Sequence, residues 1–212
     1  MLPIKWRVTI DCGVHFNYNE TVSDTYRVDK ILDNKGVFIM PATYLRLATP
    51  ADLPAIDEII HDAKTFLAEQ GVGQWQTGYP TDDDLATDVT NNITYVLIVD
   101  GEIAGTAALH QGLDHNYLKI EDGDWINGIH ARYTAIHRIA VSSKFRGQKL
   151  ADKLISGLIT ISGVLGYKDV RIDTHPDNKG MQHVIAKNGF DYRGIIYMDD
   201  HGKRFAYQLL IK

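Results

Sequence analysis

The segment that most constrains the fold is Ala135-Ile136-His137-Arg138-Ile139-Ala140-Val141. It runs through Ser142-Ser143-Lys144-Phe145-Arg146-Gly147-Gln148-Lys149 into a series of apolar positions at Leu150, Leu154, Leu158, Ile161 and Leu165. The first run reads as a mostly buried central strand. The last five residues step 4, 4, 3, 4 along one helix face, and the pattern stops at Gly166. A buried strand joined by a short basic turn to an amphipathic helix belongs to a sheet with helices packed on its faces. The turn also carries chemistry. The first N–H groups of a helix have no intrahelical partners and carry about half a positive charge, so an anion docks there, and Arg146 and Lys149 add formal charge. The competing reading of the same turn is a plain connection with a solvated charge run. Two other phosphate loops are excluded: there is no G-x-x-x-x-G-K-[ST], and the nearest approach to G-x-G-x-x-G, at Gly71 and Gly73, has Gln76 where the third glycine belongs.

The elements around this unit are legible from caps and periodicity. Thr43 to Leu47 suits a strand, and Thr49-Pro50-Ala51-Asp52 supplies an N-cap, a first-turn proline and an acid at N3. Leu53, Ile56, Ile59, Ile60, Ala63, Phe66 and Leu67 then form one apolar stripe ending near Gly71. Thr81 caps a second helix whose Asp82, Asp83 and Asp84 lie at its positive end, a structural use of an acidic run. Tyr95 to Val99 and Ile103 to Leu109 flank Asp100-Gly101, which predicts an antiparallel hairpin. After the central strand and its helix, Val170 to Thr174 reads as a strand. Asn178 caps a helix with Met181, Val184 and Ile185 on its apolar face, stopped by Asn188-Gly189. Phe190 to Met198 and Arg204 to Ile211 form a final pair joined at His201-Gly202. The order β-α-α-β-β-β-α-β-α-β-β predicts an α/β fold, a single mixed sheet with helices on both faces.

At 212 residues the chain is longer than one domain on a prior of ~150, which predicts a folded unit with an appendage. Residues 1 to 40 are the appendage, with short apolar snatches and no sustained period, and residues 41 to 212 the domain. Two readings of the appendage stand side by side: translation that begins at Met40, or a β-rich arm that pairs with another subunit. With 44% hydrophobic and 23% charged residues the composition excludes disordered and fibrous classes. Lys plus Arg is 22 against 27 for Asp plus Glu, a net charge of −5, so nothing global draws the chain to nucleic acid or an anionic membrane. The longest nearly apolar stretch, Leu154 to Leu165, is broken by Ser156, Gly157, Thr160, Ser162 and Gly163 and falls short of the ~20 residues that span a bilayer. The N-terminal residues contain no secretory apolar region. One cysteine, Cys12, allows no internal disulfide, which fits a reducing cytoplasm.

Arg146, Gly147, Gln148, Lys149, Leu150 and Ala151 resemble motif A of the Gcn5-related N-acetyltransferase (GNAT) superfamily, Q/R-x-x-G-x-G/A, with Lys149 in place of its glycine. That departure predicts an ordinary backbone conformation at Lys149, with its side chain free to swing onto a phosphate. Thr49-Pro50-Ala51-Asp52-Leu53 is similar to the family's first helix start, and Asn178 with Lys187-Asn188-Gly189-Phe190 to its motif B, so the resemblance runs from about Thr43 to Lys212. It implies a mostly antiparallel sheet whose fourth and fifth strands splay apart. It further implies acetyl-CoA as cosubstrate, its pyrophosphate on residues 146 to 151 and its pantetheine arm along Ile139, Ala140 and Val141. Those amides would polarise the acetyl carbonyl as an amine attacks. Asn178 would contact the arm; its alternative is an N-cap alone. No covalent enzyme intermediate is implied, since Cys12 lies outside the resembling region.

Acid and base are less determined by the sequence. Many relatives place a thiolate-protonating tyrosine in motif B where this chain has Ile185, leaving Tyr192, Tyr197 or solvent for the task. His137 has the strand parity of Ile139, and His175 follows the fifth strand with the parity of Arg171 and Asp173. Imidazoles titrate near neutrality, which makes both catalytic candidates. Structural roles compete, among them a polar pair of His137 with Asp173. No H-x-x-x-H pattern or assisting cysteine points to a metal. The acceptor pocket is expected from Trp75, Gln76 and Tyr79 and from a second region with Tyr117, Trp125 and Tyr133, whose aromatics could instead cover the core. Asp114, Glu121, Asp122 and Asp124 make that region acidic, which favours a cationic amine unless they are merely solvated. The resulting expectation is direct acetyl transfer to a primary amine of a small molecule or peptide, the alternative being a non-catalytic CoA-binding regulatory module. The exposed terminal strand pair adds a possible homodimer.

Overall fold

A computed structural model describes residues 31–32, 38–39, 42–199 and 202–212. The chain divides into two units, residues 1–40 and 41–212. In the first, Ile31–Leu32 pairs antiparallel with Phe38–Ile39. Both readings of the appendage, and Cys12 and Met40 with them, lie outside the described residues, as do positions 200 and 201 of the last turn.

The second unit is one seven-stranded sheet with four helices. Its strands are β1 (Thr43–Leu47), β2 (Thr94–Val99), β3 (Glu102–Gln111), β4 (Thr134–Val141), β5 (Asp169–Thr174), β6 (Asp191–Tyr197) and β7 (Lys203–Leu210). They lie in the order β1-β2-β3-β4-β5-β7-β6, and of the six pairings only β4 with β5 is parallel. Helices α1 (Leu53–Glu69), α2 (Asp82–Thr90), α3 (Leu150–Val164) and α4 (Lys179–Lys187) occupy the expected places.

Local chemistry explains the boundaries. Thr49 donates its amide to Asp52 Oδ2 at 2.7 Å, and Pro50–Asp52 winds as a 3-10 turn that feeds α1. Arg46 grips the same carboxylate at 2.7 and 2.8 Å, which holds Asp52 well below the usual carboxylate range although burial works the other way. Thr81 and Asp84 form a reciprocal capping box at the start of α2. Asp100 and Gly101 both take positive φ, 53° and 88°, as a type I′ hairpin turn requires.

One core lies beneath α3 and α4 and joins Leu97, Leu109, Ile136, Leu154, Leu158 and Ile172. A second, beneath α1 and α2, joins Ile56, Ile60, Leu85, Val96 and Ala140. Tyr117, Trp125 and Tyr133 are buried in a third cluster, where the Arg171 guanidinium sits over the Trp125 and Tyr133 rings at 4.3 and 3.8 Å. These three aromatics therefore cover the core, the plainer of their two readings.

β4 departs from the simple alternation read in the sequence. Thr106 pairs with Ala140 and Ala108 with His137, so Ala107 faces two residues, Arg138 and Ile139. Arg138 takes φ +50° in this bulge. As a result Ile136 and Ile139 serve the same core, while His137 lies near the Tyr117 ring on the other face. The shared face expected for His137 and Ile139 is thus corrected: an extra residue between them reverses the period-2 rule.

Candidate active site

The parallel β4–β5 ladder runs from Thr134↔Val170 to Ile136↔Ile172 and stops. β4 continues to Val141 with only β3 beside it, so the edge of residues 137–141 that faces β5 has no strand partner among the described residues. A cavity of about 860 Å³ opens there, lined by Ile139, Ala140 and Val141 on one side and by Asn178, Gly180, Met181 and Val184 of the α4 region on the other. Asn178 caps α4 by accepting from the Met181 amide at 3.0 Å, and its Nδ2 donates to Gln74 Oε1 at 3.0 Å. The side chain is therefore both a cap and a strut to the loop after α1.

At one end of the cavity lie Arg146 and Ala151, which line it. Residues 146–149 are exposed, and no described residue accepts a hydrogen bond from the amides of Gly147, Gln148, Lys149 or Leu150. This is an open helix N-terminus with free donors. Leu150 itself is 3% exposed and packs in the core, so its side chain serves the fold. Arg146 lies over the Phe66 ring at 4.0 Å, which holds its guanidinium beside the opening. Lys149 contradicts the expectation of an ordinary backbone: it is left-handed, φ 57° and ψ 31°, at the N-cap of α3. The turn geometry is kept and the lysine carries the strain that glycine would avoid. Gly147 takes φ +81° with nothing within 4 Å of where a Cβ would stand, so its role is conformational.

At the other end is a polar cluster on the cavity wall. His137 Nε2 lies 3.0 Å from Asp114 Oδ2, and His137 Nδ1 lies 3.9 Å from Asp173 Oδ1. The polar pairing with Asp173 expected from sequence is the looser of these contacts. Tyr117 Oη donates to Asp173 at 2.8 Å, and Arg204 Nε lies 3.8 Å from the other carboxylate oxygen. Burial pushes the Asp173 carboxyl up, against the pull of His137, Tyr117 and Arg204. Burial acts on Asp114 in the same sense, but its 3.0 Å contact with His137 and its hydrogen bond from the Asn116 amide prevail and hold it at about 2. Arg138 forms an ion pair with Asp88 of α2 and lies 5.2 Å over the Tyr79 ring; all three line the cavity.

Several candidates lie elsewhere. His175 is off the cavity wall, its Nδ1 accepting from the Asp177 amide at 3.1 Å. Tyr192 packs edge-on against Phe205 and Tyr207, and neither it nor Tyr197 lines the cavity. Of the acidic second region Asp114 reaches the cavity, whereas Glu121, Asp122 and Asp124 do not. Trp75 and Tyr79 line it and Gln76 does not. Sequence reasoning missed Asp88, Arg138 and Arg204. Nothing local marks them, because each is placed by contacts between distant segments, 50 residues apart for Arg138 and Asp88. Among the described residues no metal-holding cluster occurs and no helix is long and apolar enough to cross a membrane.

Comparison with known proteins bears on this geometry. The family model described as the Acetyltransferase (GNAT) family matches residues 55–190. Comparison with curated proteins gave no match. Among solved structures, an acetyltransferase of the GNAT family from Streptococcus agalactiae is 38% identical with a TM-score of 0.73, over 80% of this chain and 96% of that one. One from Listeria monocytogenes is 20% identical with a TM-score of 0.63, over 86% and 100%. RimL, a ribosomal L7/L12 α-N-protein acetyltransferase solved in complex with coenzyme A, is 18% identical with a TM-score of 0.57, over 80% and 94%, a likeness of fold alone. With its sheet, its splayed central strands and its turn at residues 146–151, this chain belongs to the GNAT acetyltransferase family.

Proposed function

We propose that this protein is a cytoplasmic N-acetyltransferase that uses acetyl-CoA to acetylate a primary amine of a small molecule or peptide in one direct step. The observation that carries the reading is the unzipped β4–β5 pair, which leaves the backbone of residues 137–141 open onto the cavity, with the free N-terminus of α3 at one end. An extended pantetheine arm fits the strand-shaped gap, as an added strand fits a sheet edge. The diphosphate fits the amides of Gly147 to Leu150 with Arg146 and Lys149 beside them. That RimL, of similar fold, was solved in complex with coenzyme A supports coenzyme A as the ligand class.

Acetyl-CoA supplies an activated acetyl thioester. Within Ile139 to Val141, the amides that point away from β3 donate toward its carbonyl oxygen, where negative charge grows as nitrogen attacks. His137, held by Asp114 on the cavity wall, takes the proton that a cationic amine must lose. Tyr79 is the phenol on that wall, and a phenol is protonated at neutral pH and able to donate to the departing thiolate. This assigns to Tyr79 the task for which Ile185 has no group.

The test is thiol release from acetyl-CoA in the presence of a panel of primary amines. Thiol released in step with acetylated amine supports the enzyme. Tight acetyl-CoA binding with no acetylated product across the panel supports instead the non-catalytic CoA-binding module, which the residue at Ile185 favours.

A further inference from the structure

Arg204 is a charged side chain without a full set of partners. It is 8% exposed, sits in β7 and lines the cavity. Of its donors, Nη1 is spent on the Lys203 carbonyl at 3.0 Å. Among the described residues neither Nε nor Nη2 has a hydrogen-bond acceptor, and the one carboxylate near it, Asp173, stands 3.8 Å away. That carboxylate is already engaged by Tyr117 and flanked by His137. A guanidinium stays charged at any physiological pH, and withdrawing it from water is costly unless an anion meets it. Its charge reaches neighbouring groups: His175 is pushed down by burial and then by Arg204.

Three other cationic or titratable groups of the cavity wall have an acid beside them. Arg138 has Asp88, His137 has Asp114, and His115 Nε2 lies 2.9 Å from Asp199. Arg204 is thus the cation open to a ligand beside His137, whereas Arg146 lies over Phe66 at the opening near α3. Arg204 Nε lies 3.8 Å from one oxygen of Asp173 and His137 Nδ1 3.9 Å from the other, so both stand beside the same carboxylate.

Resting on the acetyltransferase reading above, we propose that the amine acceptor carries a carboxylate close to its reacting nitrogen, with Arg204 binding that carboxylate while the nitrogen faces His137. α- and β-amino acids share this chemistry. A planar guanidinium whose Nε and Nη2 lack acceptors suits a carboxylate in a way a lysine ammonium does not.

The experiment compares four probe sets with acetyl-CoA: free α-amino acids, β-amino acids, the α-amino amides, and the amines that lack the carboxyl group. Product is read by thiol release and by mass. The expected result is kcat/KM about tenfold or more higher for one of the two carboxylate-bearing sets, which also separates α from β acceptors. Arg204→Gln should erase that preference through KM while the acetyl-CoA Kd stays unchanged, and Arg204→Lys should restore only part of it. Equal or better turnover of the carboxylate-free sets overturns the inference, as does acetyl-CoA binding without acetylation of any carboxylate-bearing probe. Loss of acetyl-CoA binding in the wild-type protein overturns the acetyltransferase reading instead. If Arg204→Gln does not fold, the wild-type preference and the Lys variant decide the matter alone.

Discussion

Arg138, left-handed in the bulge of β4, is tied by an ion pair to Asp88 of α2, 50 residues away. The pair joins the helix on one face of the sheet to the residue that turns Ile139 toward the other. Burial raises the Asp88 carboxyl against the pull of Arg138, so the site tolerates the charge only because the arginine is there. Arg138→Gln leaves that buried carboxylate without its cation and is expected to cost roughly 3–5 kcal/mol of stability, read by denaturant unfolding. A cost within ~0.5 kcal/mol would show that the bulge holds without the pair.

The proton-transfer roles separate in a pH profile. Since His137 must be unprotonated to accept a proton, kcat/KM should fall toward acid in the wild type, and His137→Gln should lose that limb along with about 10²-fold or more in rate. His175→Ala, altering a group off the cavity wall, should keep it. Tyr79→Phe should lower kcat with little change in the acetyl-CoA Kd. An unaltered profile in His137→Gln would remove it as the base.

Asp114 links the site to acid stability. Its folded pKa of about 2 lies below the ordinary 3.8, so its contribution is present above the ordinary value and is lost as pH falls toward 2. Asp114→Asn should cost about 2 kcal/mol near pH 7, with the gap to wild type closing below about pH 3. A gap that does not depend on pH would mean the loss is one of packing.

The turn before α3 offers a paired test of strain. Lys149→Gly removes a left-handed lysine and is expected to raise Tm by ~1–2 °C, the gain limited by glycine's freedom in the unfolded chain. The same change should weaken acetyl-CoA binding a few-fold by removing a cation. Gly147→Ala, at φ +81° with open space around its Cβ, should cost about 1 kcal/mol through backbone strain alone.

What the sequence made legible was whatever is local. The caps at Thr49, Thr81 and Asn178, the Asp100-Gly101 turn and the 4, 4, 3, 4 stepping after Leu150 fix their elements through neighbours within a turn or two. These sufficed for the element order and for a mixed sheet with helices on both faces. The bulge was not legible, because alternation assumes one residue per partner and Ala107 faces two. Nor was the left-handed Lys149, where the geometry of the turn prevails over the residue's own preference. Asp88 and Arg204 join the cavity wall through sheet order and helix packing, contacts for which no spacing rule exists.

Calorimetric titration of the purified full chain with acetyl-CoA tests the central claim most directly, namely that the amides after Phe145 receive the coenzyme's diphosphate. The expected result is saturable one-to-one binding that weakens with added salt and weakens further in Arg146→Ala. No measurable heat at any temperature, or affinity indifferent to both salt and Arg146, would contradict it.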